Sequence, residues 1–252
     1  MNDYRHRITA SNAIKDENVF GNFKRDDNFT SILEHVSYQQ GIQYINEIKK
    51  YNWKQLNWNL FLENDIIGNP HKYDYFNELQ DLTLNTFYIS PSTLRYISFG
   101  LQILSYIRTF NKTELSIIEI GGGYGGQCKI LFDLCKYSGI NIRKYTIIDL
   151  TEITLLQSKY LQKLNYENVE TIPFDGCEKL IDNYDLFISN YALGEFSSDI
   201  KNFYINNVLP KCKNYFIAWN TNPIHSYFKN SKLVEEIPQT NPTKFKNVII
   251  TN

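Results

Sequence analysis

The stretch "SIIEIGGGYGGQCKIL", residues 116–131, decides how the rest of the chain is read. An isoleucine-rich apolar run stops at six residues, 121–126, of which five are glycine and the other is Tyr124. Apolar residues at helical spacing follow. A strand, a glycine turn and a helix in that order bring bare backbone close to a cofactor. A nucleoside triphosphate loop needs a lysine and a hydroxyl after its last glycine, and Gln127 and Cys128 stand there instead. Two readings stay open on spacing alone. Gly121, Gly123 and Gly126 meet the GxGxxG pattern of dinucleotide sites. Gly121, Gly123 and Gly125, with Glu119 before them, meet the acidic-x-GxGxG pattern of S-adenosylmethionine sites.

Downstream, Asp149 closes the next strand-like run, "KYTIIDL", roughly 20 residues past the glycines, where a carboxylate accepts from ribose hydroxyls. Strand-like runs recur at 116–120, 144–150, 168–174, 185–191 and 214–220, with helical patterns at 126–138, 151–164 and 197–209 between them. Gly139 follows the first of these helices at the position where a left-handed residue ends one. The alternation predicts a mostly parallel sheet with helices on both faces. Two last strand candidates, "KLVEEIPQ" and "FKNVIITN", are joined by "TNPTK" rather than a helix, so a closing hairpin is expected.

Upstream, residues 1–110 read as a helical cap before a cofactor domain over 111–252. "FTSILEHVSYQQGIQYINEIKKY" has helical period, with Gly41 expected to split it in two. Gly68-Asn69-Pro70 predicts a turn. "SPSTLRY" predicts a helix capped by Ser90 or Ser92 with Pro91 in its first turn.

Composition narrows the partners. The 252 residues are 42% hydrophobic and 21% charged, with a formal net charge of -1, so no overall field favours nucleic acid or an anionic membrane. No apolar run approaches the ~20 residues of a membrane span. "MNDYRHRITASN" has no apolar core of a secretion signal, and the four cysteines form no CxxC pair; both fit a cytoplasmic protein with reduced, buried thiols. His6, His35 and His71 lack metal-ligand spacing, so no metal is expected. Whether the chain self-associates is not decided by its composition.

Three features tilt the cofactor toward S-adenosylmethionine. Glu119 falls on the core side of the turn, where a carboxylate needs a donor such as a cofactor ammonium. The motif comes after ~115 residues, which would leave little chain for a dehydrogenase substrate domain. The closing hairpin resembles the reversed last strand of class I methyltransferases, a likeness of fold alone.

"IIEIGGGYGGQCKIL", "IIDL", "SNYALGEF" and the upstream "IIGNP" and "SPSTLRY" together resemble the sugar O-methyltransferases of bacterial polysaccharide gene clusters, over roughly residues 30–252. The resemblance implies a class I, Rossmann-like methyltransferase fold, a helical N-terminal cap, S-adenosylmethionine as cofactor and a sugar or nucleotide-sugar hydroxyl as acceptor. An NAD(P)-dependent oxidoreductase and a non-catalytic S-adenosylmethionine-binding subunit are the rivals. An amine acceptor is disfavoured because "SNYA" lacks the double proline of the NPPY-type loop.

With that cofactor, each strand end has an expected task. Gly121, Gly123 and Gly125 admit the cofactor, and Asp149 with Leu150 meets the ribose. Asp175, flanked by Phe174, accepts from the adenine amine. Arg95 reaches the methionine carboxylate or the acceptor, and Tyr124 covers one of them. Asn190 and Tyr191 border the reacting centre. A hydroxyl is a poor nucleophile at neutral pH, so a base is expected. Glu195 after the fourth strand leads His225 after the fifth for that role, with Tyr191 beside them.

Overall fold

The computed structural model describes residues 5–79, 86–179, 182–240 and 245–252. Most of the "TNPTK" connection, residues 241–244, lies outside the described residues. Five helices of ten or more residues are described: α1 (His6–Lys15), α2 (Tyr38–Ile48), α3 (Pro91–Ile107), α4 (Gly126–Tyr137) and α5 (Thr151–Lys163). Seven strands form the main sheet: β1 (Glu114–Ile120), β2 (Asn141–Asp149), β3 (Val169–Pro173), β4 (Tyr184–Asn190), β5 (Cys212–Trp219), β6 (Lys232–Glu235) and β7 (Val248–Thr251).

Their order is β3-β2-β1-β4-β5-β7-β6. The pairs from β3 to β5 are parallel, and β7 runs antiparallel to both β5 and β6. The mostly parallel sheet and its reversed last strand are therefore as expected. The central strands β1 and β4 and the second half of β2 form because their β-branched residues are covered on both faces. The period of two sends Leu115 and Ile117 of β1 into the core shared with the N-terminal helices, and Ile118 and Ile120 into a second core on the opposite face.

Ser90 caps α3 by accepting from the Thr93 N–H at 3.1 Å, with Pro91 at the first position. Gly139 ends α4 at φ +72°. Two expectations are corrected. Gly41 does not break a helix: α2 starts at the Ser37–Gln40 capping box and runs through it. A side chain at Gly41 would place its Cβ 2.0 Å from Tyr75 Oη, so this glycine serves close packing. The single helix expected over 197–209 is α-helical only over Ser198–Phe203, then widens over Tyr204–Val208. Pro210 has no N–H to continue the ladder, and the helix changes form before it.

The N-terminal segment folds back onto the sheet. α1 lies on α5, with Arg7 and Glu152 paired at 2.7 Å. Residues from α1, α2 and α3 share one continuous core with β1, β2 and α4. Among the described residues no helix is long and apolar enough to cross a membrane.

Candidate functional site

In this sheet the order reverses between β1 and β4, because the chain leaves one toward β2 and the other toward β5. Ligands of open α/β sheets sit outside the carboxyl ends at such a point. A cavity of about 670 Å³ opens there. Glu119 shares a sheet face with Leu115 and Ile117, and Asp149 shares it with Tyr145 and Ile147 of the adjacent strand. Alternation alone therefore puts both carboxylates on the cavity side of the sheet.

The glycine turn floors the cavity. Gly121 (φ +67°) and Gly123 (φ +57°) are left-handed, a conformation that side chains strain to adopt. Gly121 also passes so close to the loop after β4 that a Cβ there would sit 2.2 Å from the Ala192 Cβ. Gly125 and Gly126 have another task. A Cβ on Gly126 would meet the rings of Tyr96 and Tyr124 at 2.7 and 2.8 Å, and one on Gly125 would meet Leu161 at 3.2 Å. The first turn of α4 is thus packed under side chains, and neither glycine lines the cavity.

Glu119 is 1% exposed and accepts from Tyr145 Oη at 2.8 Å. Burial pushes its carboxyl up to about 7, with the Tyr145 hydrogen bond pulling the other way. Asp149 Oδ1 accepts from the Leu150 N–H at 2.8 Å and Oδ2 from Gln157 at 3.0 Å. Burial likewise lifts it to about 7 against those hydrogen bonds. Neither carboxylate forms an ion pair among the described residues. Both are costly in this state, and a ligand bringing an ammonium or hydroxyl donors relieves that cost.

Arg95 enters the cavity wall from α3, 5% exposed, with Nη2 donating to the Leu33 carbonyl at 3.0 Å. Leu33 in turn covers Gly123, whose added Cβ would meet it at 3.1 Å. The N-terminal segment thereby roofs the glycine turn. Asn190, at the end of β4, donates to Gln127 at 3.4 Å, while its own Oδ1 is buried without a partner among the described residues. Tyr191 follows in a left-handed backbone (φ +73°, ψ -33°), its hydroxyl donating to Glu236. Glu195 stands exposed at the rim and accepts from Asn220.

Of the residues expected in the site, Arg95, Glu119, Gly121, Gly123, Asp149, Leu150, Phe174, Asn190, Tyr191 and Glu195 come together around this one cavity. Four do not. Tyr124 points away into the core, fully buried, its ring beneath the Lys24 ammonium at 4.0 Å and its hydroxyl accepting from Asn64 at 3.0 Å. Gly125 lies under Leu161. Asp175 projects to solvent from the turn that turns Phe174 inward. His225 caps the short helix Ser226–Phe228, accepting the Tyr227 N–H at 3.2 Å, and does not line the cavity.

Gln157 was not singled out from the sequence, although it ties the Gly123 carbonyl (2.7 Å) to Asp149. Its signal was there: a glutamine inside the apolar stripe Ile153–Leu156–Tyr160 of α5. Glu236 carried no local signal, since its meaning comes from Tyr191, 45 residues away in sequence.

No family model matches the chain, and no curated protein matches it. Solved structures do share its architecture. A Thermoplasma acidophilum protein is 15% identical, over 69% of this chain and 91% of its own, with a TM-score of 0.45. A SAM-dependent methyltransferase from Aquifex aeolicus is 14% identical, over 60% of this chain and 87% of its own, with a TM-score of 0.42. The magnesium protoporphyrin IX methyltransferase of Synechocystis PCC 6803, solved with bound SAH, is 13% identical, over 63% and 85%, also at 0.42. Likenesses this distant carry nothing about cofactor or acceptor. The chain's own strand order and its single reversed strand make it a class I methyltransferase-like, Rossmann-like sheet.

Proposed function

We propose that the protein is an S-adenosylmethionine-dependent O-methyltransferase whose acceptor is a hydroxyl of a sugar or nucleotide sugar, working in the cytoplasm in glycan assembly. The observation that carries the cofactor half is the pair of carboxylates, buried Glu119 and half-buried Asp149, lining one cavity above a glycine turn whose helix end is packed under side chains. A dinucleotide needs the N–H groups at that helix end for its pyrophosphate. Here Tyr96, Tyr124 and Leu161 pack against Gly125 and Gly126 at that helix end, and Glu119 would repel an anion.

The residues fit a ligand with an ammonium, a ribose and no phosphate. Asp149 suits the ribose diol, Glu119 the ammonium side, and Arg95 a carboxylate. Asn190 Oδ1, without a partner among the described residues, is a further acceptor for a ligand donor. The volume of about 670 Å³ lies within the ~300–1,000 Å³ usual for such sites. When bound, S-adenosylmethionine supplies a methyl carbon activated by its sulfonium. The chain's task is then alignment and proton removal: Asn190 and Tyr191 border the reacting centre, and Glu195 at the rim orients the acceptor. The acceptor class rests on the sequence resemblance, and residues 1–110 are read as the cap that selects it.

Isothermal titration with S-adenosylhomocysteine, S-adenosylmethionine and NAD(H), followed by transfer of labelled methyl to a panel of nucleotide sugars, tests this reading. Binding of the two sulfur ligands, loss of that binding in Asp149→Ala, and labelled sugar product are expected. NAD(H) binding without either sulfur ligand would make the protein an oxidoreductase. Sulfur-ligand binding with transfer to no hydroxyl acceptor would favour a non-catalytic subunit.

A further inference from the structure

We infer that Tyr191 and Glu236 form the proton-accepting pair for the acceptor hydroxyl, Tyr191 touching the acceptor and Glu236 acting as a positioning residue through it. The inference rests on the methyl-transfer reading above. Tyr191 sits where the sheet order reverses and lines the cavity with Arg95 and Thr240. Its φ of +73° is one that a tyrosine adopts only under constraint, at ~1–3 kcal/mol, and its N–H is tied to the Ala218 carbonyl at 2.9 Å. The constraint holds the phenol at one place on the wall. Thr240, also in the wall, donates to Tyr191 Oη at 3.4 Å, so a second cavity-lining residue meets the phenolic oxygen.

Behind it, Glu236 is 0% exposed and Oε1 accepts the Tyr191 hydroxyl. Its backbone N–H is fixed on the Asn247 carbonyl at 3.0 Å. Among the described residues Glu236 makes no ion pair, so a buried carboxylate is retained where an apolar residue would be cheaper. Burial raises its affinity for a proton, while the Arg95 charge from α3 opposes that. The other groups facing the pair are Tyr44 of α2, together with Thr240 and Asn247 from the closing hairpin. Glu195 lacks this arrangement, being exposed and engaged with Asn220.

The step balances. The acceptor's O–H proton passes to Tyr191 Oη as the phenolic proton moves to Glu236 Oε1. The acceptor oxygen bonds the methyl carbon while the carbon–sulfur bond breaks, its electron pair staying on sulfur. One carboxylate and one sulfonium thus become a carboxylic acid and a thioether, so one negative and one positive charge disappear together.

The test uses the full chain with Glu236→Gln and Tyr191→Phe. S-Adenosylhomocysteine titration should give affinities within about twofold of wild type for both. In protein carrying [ζ-13C]tyrosine and saturated with S-adenosylhomocysteine, the resonance missing from Tyr191→Phe should move with pH in one step, and Glu236→Gln should abolish that step. With UDP-, GDP- and dTDP-sugars as acceptors, Glu236→Gln should lower kcat about 100-fold with little change in KM and remove the acid limb of the kcat profile, in the range expected for losing a general base. A Tyr191 resonance without a step overturns the inference, as does a Glu236→Gln enzyme within threefold of wild type that keeps its acid limb. Wild type that binds no S-adenosylhomocysteine overturns the methyl-transfer reading itself, and the resonance experiment on the ligand-free chain then decides the pair alone.

Discussion

Gly121→Ala and Gly139→Ala separate the two things a glycine does in this fold. Both residues are left-handed, at φ +67° and +72°. Nothing lies within 4 Å of a Cβ built on Gly139, whereas one on Gly121 falls 2.2 Å from the Ala192 Cβ. Gly139→Ala therefore meets only the backbone penalty, ~1–2 kcal/mol. Gly121→Ala meets the same penalty and must also push the loop after β4 back by about 1.2 Å to reach ordinary contact at 3.4 Å, an overpacking cost of ~1–3 kcal/mol more. At roughly 2–4 °C per kcal/mol for a chain of this size, Gly139→Ala should lower Tm by about 2–8 °C and Gly121→Ala by several degrees beyond that. The displaced loop follows directly on Asn190 at the end of β4, so S-adenosylhomocysteine affinity should fall in Gly121→Ala and stay unchanged in Gly139→Ala. Scanning calorimetry with paired titrations makes the comparison. Equal Tm losses in the two variants would refute the close approach of turn and loop.

Other consequences follow from the same contacts. Tyr124→Phe should lower stability by ~1 kcal/mol through its lost hydrogen bond with Asn64, with no change in S-adenosylhomocysteine affinity; a clear affinity loss would return Tyr124 to the site. His225→Ala should leave kcat and KM unaltered and cost at most ~1 kcal/mol as a lost cap, read by chemical denaturation. Asp149 and Glu119 are held at about 7, above their ordinary 3.8 and 4.5. A raised folded value means that each contribution to stability is complete below the ordinary value and is lost as pH rises through about 7. The ligand-free protein should accordingly lose stability between about pH 4 and 7, and Asp149→Asn should flatten that slope in urea titrations. Binding of an ammonium-bearing ligand should release protons near pH 6.5, seen as a buffer dependence of the titration enthalpy.

The sheet was legible in the sequence because its signals are local. Each parallel strand is a short apolar run, each crossover helix carries its own period and stop, and Gly139 and Ser90 act on their nearest neighbours. Glu119 and Asp149 were legible for the same reason, since a strand's period of two sets their face once its pairing is known. Gly41 misled because a glycine's local meaning is a break, while its actual neighbour, Tyr75, is 34 residues on. Tyr124 misled likewise. It stands in the most telling motif of the chain, yet the turn sends its ring toward Lys24 and Asn64, away from the cavity.

By itself the sequence determined the order of strands and helices, the left-handed turn after β1 and the two carboxylates beside it, because backbone geometry and side-chain period act over a few residues. Only the tertiary structure decided which glycines face the cavity and which lie under Tyr96, Tyr124 and Leu161. It alone brought Leu33 over the turn and Gln157 to Asp149, and set Glu236 behind Tyr191 while leaving His225 outside. Those choices depend on which distant surfaces bury one another, and packing between elements far apart in the chain is written in no single stretch of it.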